Sequence, residues 1–191
     1  FKSLVRELLA KREEELEPWR AKLCHALAAH GQLIVNLVPE LELLIGVQAQ
    51  VPELSGGEAR TRFLLVVRQF LSVFARPEQP LVLFLDDLQW LDVATLDVFE
   101  SLATHPDVRN LLLVGAYRTN EVDAAHTLQR SIEAIRHSDA PQHEVRLGGI
   151  QPRDVAQMLS EALWCDDDME ISAPAASVHE KTGGNPLFVQ H

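Results

Sequence analysis

An α/β fold built on a parallel sheet is predicted, with a helical N-terminal portion and the start of a C-terminal helical subdomain. Three observations predict it. Leu81-Val82-Leu83-Phe84-Leu85 is an unbroken apolar run entered from Pro80 and left through Asp86-Asp87. Such a run reads as a strand buried on both faces of a parallel sheet, with Phe84 in the core. Residues 111–116 form a second apolar run, and helical periodicity fills the interval between the two. Strand, helix and strand in that order imply parallel strands joined by right-handed crossovers.

The elements follow in chain order. Leu4, Leu8 and Leu9 share one face of a first helix, and residues 13–17 continue it as a solvated acidic face. Pro18 suits the start of a second helix carrying Trp19, Leu23, Ala26 and Leu27, closed by Gly31. Residues 33–45 form a further apolar helical segment interrupted by Pro39, and residues 46–52 a loop. Ser55-Gly56-Gly57-Glu58 matches a capping box. The helix it opens puts Phe63, Val66, Val67, Phe70 and Phe74 on a core-facing stripe and ends before Pro77.

After the first strand, Asp92 caps a helix whose inner face carries Leu96, Phe99 and Leu102. The second strand leads into Tyr117-Arg118-Thr119-Asn120, residues 128–135 are helical, and residues 145–147 form a short third strand. Pro152 opens a helix with Val155, Met158, Leu159, Ala162 and Leu163 on one side. Asp166-Asp167-Asp168 is a solvated acidic loop or the cap of a helix over residues 173–182, which Gly183-Gly184 ends. Two domains result: residues 1–150 as the α/β core and residues 151–191 as the start of a helical subdomain.

Composition removes several function classes. The formal charge of −11 argues against a nucleic-acid-binding face, which needs basic residues. No apolar stretch reaches the length that crosses a membrane, and no signal-peptide pattern opens the chain. Cys24 and Cys165 show no metal-ligand spacing and are too few for a disulfide framework, which fits a reducing cytoplasm. The histidines are scattered, without the clustering of a zinc site. Phe1 enters helical periodicity without an initiator Met, and the chain stops inside an apolar pattern at residues 186–191, so a piece of a longer polypeptide is expected.

The chemistry is expected at one rim. Open α/β sheets bind ligands outside the C-terminal edge of their strands. The first strand delivers Asp86 and Asp87 there, and the second delivers Arg118. Ionised Asp is costly to bury without a partner, and a hydrated Mg²⁺ carrying nucleotide phosphates is an obvious one. An acid near Mg²⁺, a second acid to orient water and a cation at the terminal phosphate make a set suited to phosphoryl transfer, where positioned charge does most of the catalysis. Trp90 reads as a hydrophobic anchor for the loop after the strand.

Residues 83–92, Leu83-Phe84-Leu85-Asp86-Asp87-Leu88-Gln89-Trp90-Leu91-Asp92, together with Gly115-Ala116-Tyr117-Arg118-Thr119-Asn120-Glu121-Val122 and Thr182-Gly183-Gly184-Asn185-Pro186-Leu187-Phe188-Val189, resemble three signature blocks of one family. It is the STAND class of AAA-like P-loop ATPases, and within it the module between serine/threonine kinase and GAF–histidine-kinase domains of large bacterial sensor proteins. The resemblance implies a truncated three-layer P-loop NTPase using ATP and Mg²⁺. Asp86 would be the Walker B acid acting on Mg²⁺, Asp87 would polarise the attacking water, and Arg118 would read the γ-phosphate. Asn185 and Pro186 would form the family's Gly-x-Pro turn, with Pro186 near the adenine, coupling nucleotide state to the helical subdomain.

One departure is large. A P-loop needs Gly-x-x-x-x-Gly-Lys-[Ser/Thr], and no such run occurs here. In the family it lies upstream of the region matching Phe1, so truncation is expected, with little ATP binding or turnover by these 191 residues alone. The function the resemblance implies is a nucleotide switch in a multidomain signalling protein, with ATP or ADP, flanking kinase, GAF or histidine-kinase domains and self-association as partners. A non-catalytic scaffold of the same fold, or the ATPase core of a transcription regulator, are the alternatives.

Overall fold

A computed structural model describes residues 1–164 and 168–190. The chain forms two compact units, Phe1–Pro141 and Gln142–His191. Asp166, Asp167 and Cys165, part of the predicted acidic loop and the second cysteine, lie outside the described residues.

The first unit opens with helices. α1 (Lys2–Leu9) buries Val5 and Leu8, and α2 (Glu13–Leu27) buries Leu16, Leu23 and Leu27. Pro18 does not start α2 but lies inside it. At the helix start, the Glu15 carboxylate instead accepts the Arg12 backbone N–H at 3.4 Å. Three acidic residues in the first turn, Glu13, Glu14 and Glu15, match the positive end of the helix dipole. Gly31 likewise opens α3 (Gly31–Leu37) rather than closing α2. Pro39 begins a 3₁₀ turn (Pro39–Leu41) that leads into the single-turn α4 (Glu42–Ile45), which Gly46 ends at φ 73°.

α5 (Gly56–Phe74) is the spine of this half. Val66, Val67, Phe70, Leu71, Val73 and Phe74 are buried along it. Phe70 meets Phe1 edge-on at 5.8 Å and Phe74 at 5.2 Å, while Phe74 meets the Trp19 ring at 5.5 Å. The Arg76 guanidinium lies over the Trp19 ring, 4.4 Å from its centre. The predicted Ser55 cap does not form, since its side chain accepts no bond from the helix start. Gly56 at φ 58° turns the chain into the helix in a way a larger residue would resist.

β1 (Leu81–Leu85) and β2 (Leu111–Gly115) then pair in parallel, Leu81 opposite Leu111 and Leu85 opposite Gly115. α6 (Val93–Thr104) joins them, capped as predicted by Asp92, whose carboxylate accepts the Thr95 N–H at 2.7 Å. The sheet is not buried on both faces. Leu81, Leu83, Leu111 and Leu113 pack on the helical core, whereas Val82, Phe84 and Leu112 are 59%, 60% and 59% exposed. An unbroken apolar run therefore reports strand formation here but not two-sided burial, because alternate side chains face opposite ways. A second core of Leu88, Leu96, Phe99 and Leu128 ties α6 to α7 (Thr127–Arg136).

In the second unit the third strand expected over residues 145–147 is absent. Val145 and Leu147 are exposed, and among the described residues the sheet contains β1 and β2 alone. α8 (Pro152–Leu163) and α9 (Asp168–Thr182) pack through Val155, Ile171 and Ala175. Gly183 and Gly184 end α9 at φ 61° and 72°, and Asn185 caps the short α10 (Pro186–Val189) by accepting the Leu187 N–H at 3.0 Å.

Candidate nucleotide-facing rim

Two loops leave the C-terminal ends of β1 and β2 side by side, and backbone bonds hold them in register. Ala116 N–H donates to the Leu85 carbonyl at 2.9 Å, and Leu88 N–H donates to the Ala116 carbonyl at 2.9 Å. The parallel ladder thus continues one step into the loops before the chain curls into a 3₁₀ turn, Leu88–Trp90. Gly115 makes this approach feasible. A Cβ there would meet Leu88 Cδ1 at 2.5 Å and Phe99 Cζ at 3.0 Å.

Asp86 is exposed, and its Oδ1 accepts the N–H of Asp87 at 2.9 Å. Asp87 sits at φ 50°, in the left-handed region that a non-glycine residue adopts at some cost. That conformation turns its carboxylate towards the neighbouring loop, where Arg118 Nε lies 3.6 Å from Oδ1. Arg118 is also paired with Glu121, Nη1 to Oε1 at 3.1 Å, and its guanidinium lies 5.6 Å from the centre of the Trp90 ring. Trp90 is 68% exposed and donates its indole N–H to Glu121 Oε2 at 3.2 Å. It is therefore a polar-tipped platform for Arg118 rather than a buried anchor.

Sequence reasoning passed over Gln89, which is only 6% exposed. Its amide nitrogen donates to Asp87 Oδ1 at 2.9 Å and to Glu121 Oε2 at 3.4 Å, and its Oε1 accepts the Arg118 N–H at 3.3 Å. The available signal was an amide side chain two residues beyond an acid in a tight turn, with no apolar reason for burial. Glu121 was passed over as well, although it lies three residues beyond Arg118 in another 3₁₀ turn, Thr119–Glu121.

The structure thus brings Asp87 and Arg118 together, with Asp86 adjacent in the chain. Asn185 and Pro186 occupy the second unit, where Asn185 caps α10 and Pro186 is its first residue. The turn preceding them is tight: the Ile150 N–H bonds the Gly184 carbonyl at 2.8 Å, and a Cβ on Gly184 would sit 2.5 Å from the Ile150 carbonyl. Among the described residues, no group of three or more His, Cys, Asp or Glu side chains is arranged to hold a metal ion, and no helix is long and apolar enough to cross a membrane.

Parallel strands carrying polar groups at their C-terminal ends are the arrangement in which open α/β sheets bind ligands. Residues 1–114 match the AAA ATPase domain family, and the chain belongs to that family, with an α/β fold. It is 35% identical over 99 residues to the hybrid signal transduction histidine kinase G of Dictyostelium discoideum. The match covers 52% of this chain and 3% of that protein, so the chain spans a small part of the relative's length. No solved structure matches.

Proposed function

We propose that this chain is the acid-and-sensor half of a STAND-type ATP-hydrolysing switch within a larger signalling protein. One observation carries the reading: a carboxylate from the loop after β1 and a guanidinium from the loop after β2 lie 3.6 Å apart at the C-terminal edge of a parallel sheet. Asp86 fits a Mg²⁺ site of the kind that uses one exposed carboxylate together with nucleotide phosphates and water. Bound Mg²⁺ would supply charge neutralisation at the phosphates. Asp87 orients and polarises a water through the oxygen that its neighbours leave open, and Arg118 answers the terminal phosphate by exchanging a carboxylate partner for a phosphate one. Asn185 and Pro186 connect the nucleotide to the helical subdomain, with residues 1–150 as the core and 151–191 as the start of that subdomain. No Gly-Lys-[Ser/Thr] run is present to cradle phosphates, so the acids and the cation are this chain's share of the site.

The histidine-kinase relative supports a signalling context, with flanking sensor or kinase domains as partners of the switch. The test is Asp87→Asn in the full-length protein. Hydrolysis of ATP is expected to fall by about 10²–10⁴-fold, the range for loss of a positioned acid–base group, with ATP binding retained. Unchanged turnover would remove Asp87 from this role, and a wild-type protein that binds ATP without hydrolysing it would favour a scaffold of the same fold.

A further inference from the structure

We infer that Gln89 is a positioning residue for Asp87, holding one carboxylate oxygen so that the other stays available to water. The inference rests on the ATPase reading above and adds to it a residue with no direct contact to nucleotide.

A buried amide is costly unless its donors and acceptor are used. Gln89 uses both ends, and every partner belongs to the candidate rim: Asp87, Glu121 and the backbone of Arg118. A leucine would occupy the same volume without any of these bonds, so packing alone does not account for an amide here. The side chain stitches the loop after β1 to the loop after β2 at the level of the reacting groups.

The pattern at Asp87 indicates what the stitch does. Gln89 Nε2 at 2.9 Å and Arg118 Nε at 3.6 Å both address Oδ1, and Oδ2 receives no bond from the described residues. Gln89 holds the closer position. Without it, the carboxylate is free to rotate into a two-oxygen pairing with the Arg118 fork, the geometry that guanidinium and carboxylate favour. Such a pair ties up the oxygen that would orient water and neutralises the cation that would meet phosphate. The neutral amide therefore keeps an acid and a base-pairing cation adjacent without letting them close on each other. Glu121 contributes from the other side by engaging Arg118 Nη1 at 3.1 Å. Asp86, Asp87, Glu121 and Arg118 are the charged groups around this amide, and a fourth carboxylate at position 89 would worsen their balance.

The experiment compares wild type, Gln89→Leu and Gln89→Glu in the full-length protein. Both variants lose the amide donor; the second keeps side-chain shape and the acceptor for the Arg118 N–H. With turnover normalised to the folded fraction from circular dichroism, kcat is expected to fall about tenfold or more while KM stays within about twofold, the signature of an interaction needed in the transition state and not for substrate binding. In protein labelled with [¹⁵N]glutamine, Asp87→Asn is expected to move the Gln89 side-chain NH₂ resonances, and Asp107→Asn, at an exposed acid beside His105, to leave them in place. Loss of folded protein with unchanged kcat per folded molecule, or resonances blind to Asp87→Asn, overturns the assignment of Gln89 alone. Absence of turnover in wild type overturns the ATPase reading itself.

Discussion

The helical half and the strand-end rim of the first unit obey different rules. Around α5 the contacts are dry: Phe70, Leu23, Leu27, Ile34, Leu41 and Leu44 are essentially sealed from water. At the rim, four charged side chains and one amide share a few ångströms, and the large apolar groups beside them, Phe84 and Trp90, are open to solvent. The first region stores stability through area removed from water, at about 25 cal/mol per Å². The second has little of that term and is organised by hydrogen bonds with specific partners, individually worth about 1 kcal/mol net. Stability and the proposed chemistry are therefore held in separate places, and substitutions should separate them.

The largest expected effect is at the sealed side. Phe70→Ala removes a ring that meets Phe1 and Phe74, and should destabilise the fold by about 3–5 kcal/mol in denaturant titration. A loss under 1 kcal/mol would mean that this core repacks easily and is not the store proposed.

Gly115→Ala tests the seam between the two regions. The added methyl would press on Leu88 and Phe99, for an overpacking cost of about 1–3 kcal/mol. It should also displace the turn that carries Gln89, so turnover should fall more than stability does.

A smaller effect is expected from Asp92. The Thr95 N–H bond holds its carboxyl below the usual carboxylate range. A lowered folded-state value means the contribution is complete above about pH 4, the unfolded value, and is lost as pH falls through the folded one. Asp92→Ala should accordingly lower the melting midpoint by a few degrees at neutral pH and by progressively less in acid. An unchanged difference down to low pH would break the link to the cap.

Phe84→Ala should do least. Exposed positions away from special features change stability by about 0.5 kcal/mol or less, in contrast to the several kcal/mol that a buried phenylalanine at this position would imply. A large loss would show that something covers this face of the sheet.

Much of this was legible in the residues. The stripe through Val66, Val67, Phe70 and Phe74 gave α5, the two apolar runs gave β1 and β2, and Asp92 was recognisable as a cap because a side-chain oxygen one residue before a helix has one obvious use. Pro18 and Gly31 misled because a single residue punctuates a chain only weakly. The acidic first turn at residues 13–15, with Glu15 bonded back to the Arg12 N–H, outweighed the proline, and Gly31 adopts ordinary helical angles. Residues 145–147 have strand composition but are laddered to no strand among the described residues, and strand pairing is a property of two segments.

At the site, the sequence named the two strand-end acids and Arg118 but was silent on Gln89 and Glu121, and it misjudged Trp90. Periodicity and capping located α5, α6, β1 and β2 because these signals are local and are written in neighbouring residues. Long-range packing set which face of the sheet is covered, that Asp87 takes a left-handed turn towards Arg118, and that a buried amide bonds both loops. Those outcomes depend on groups about thirty residues apart meeting at one edge, and the bonds they form exist only once the strands are side by side.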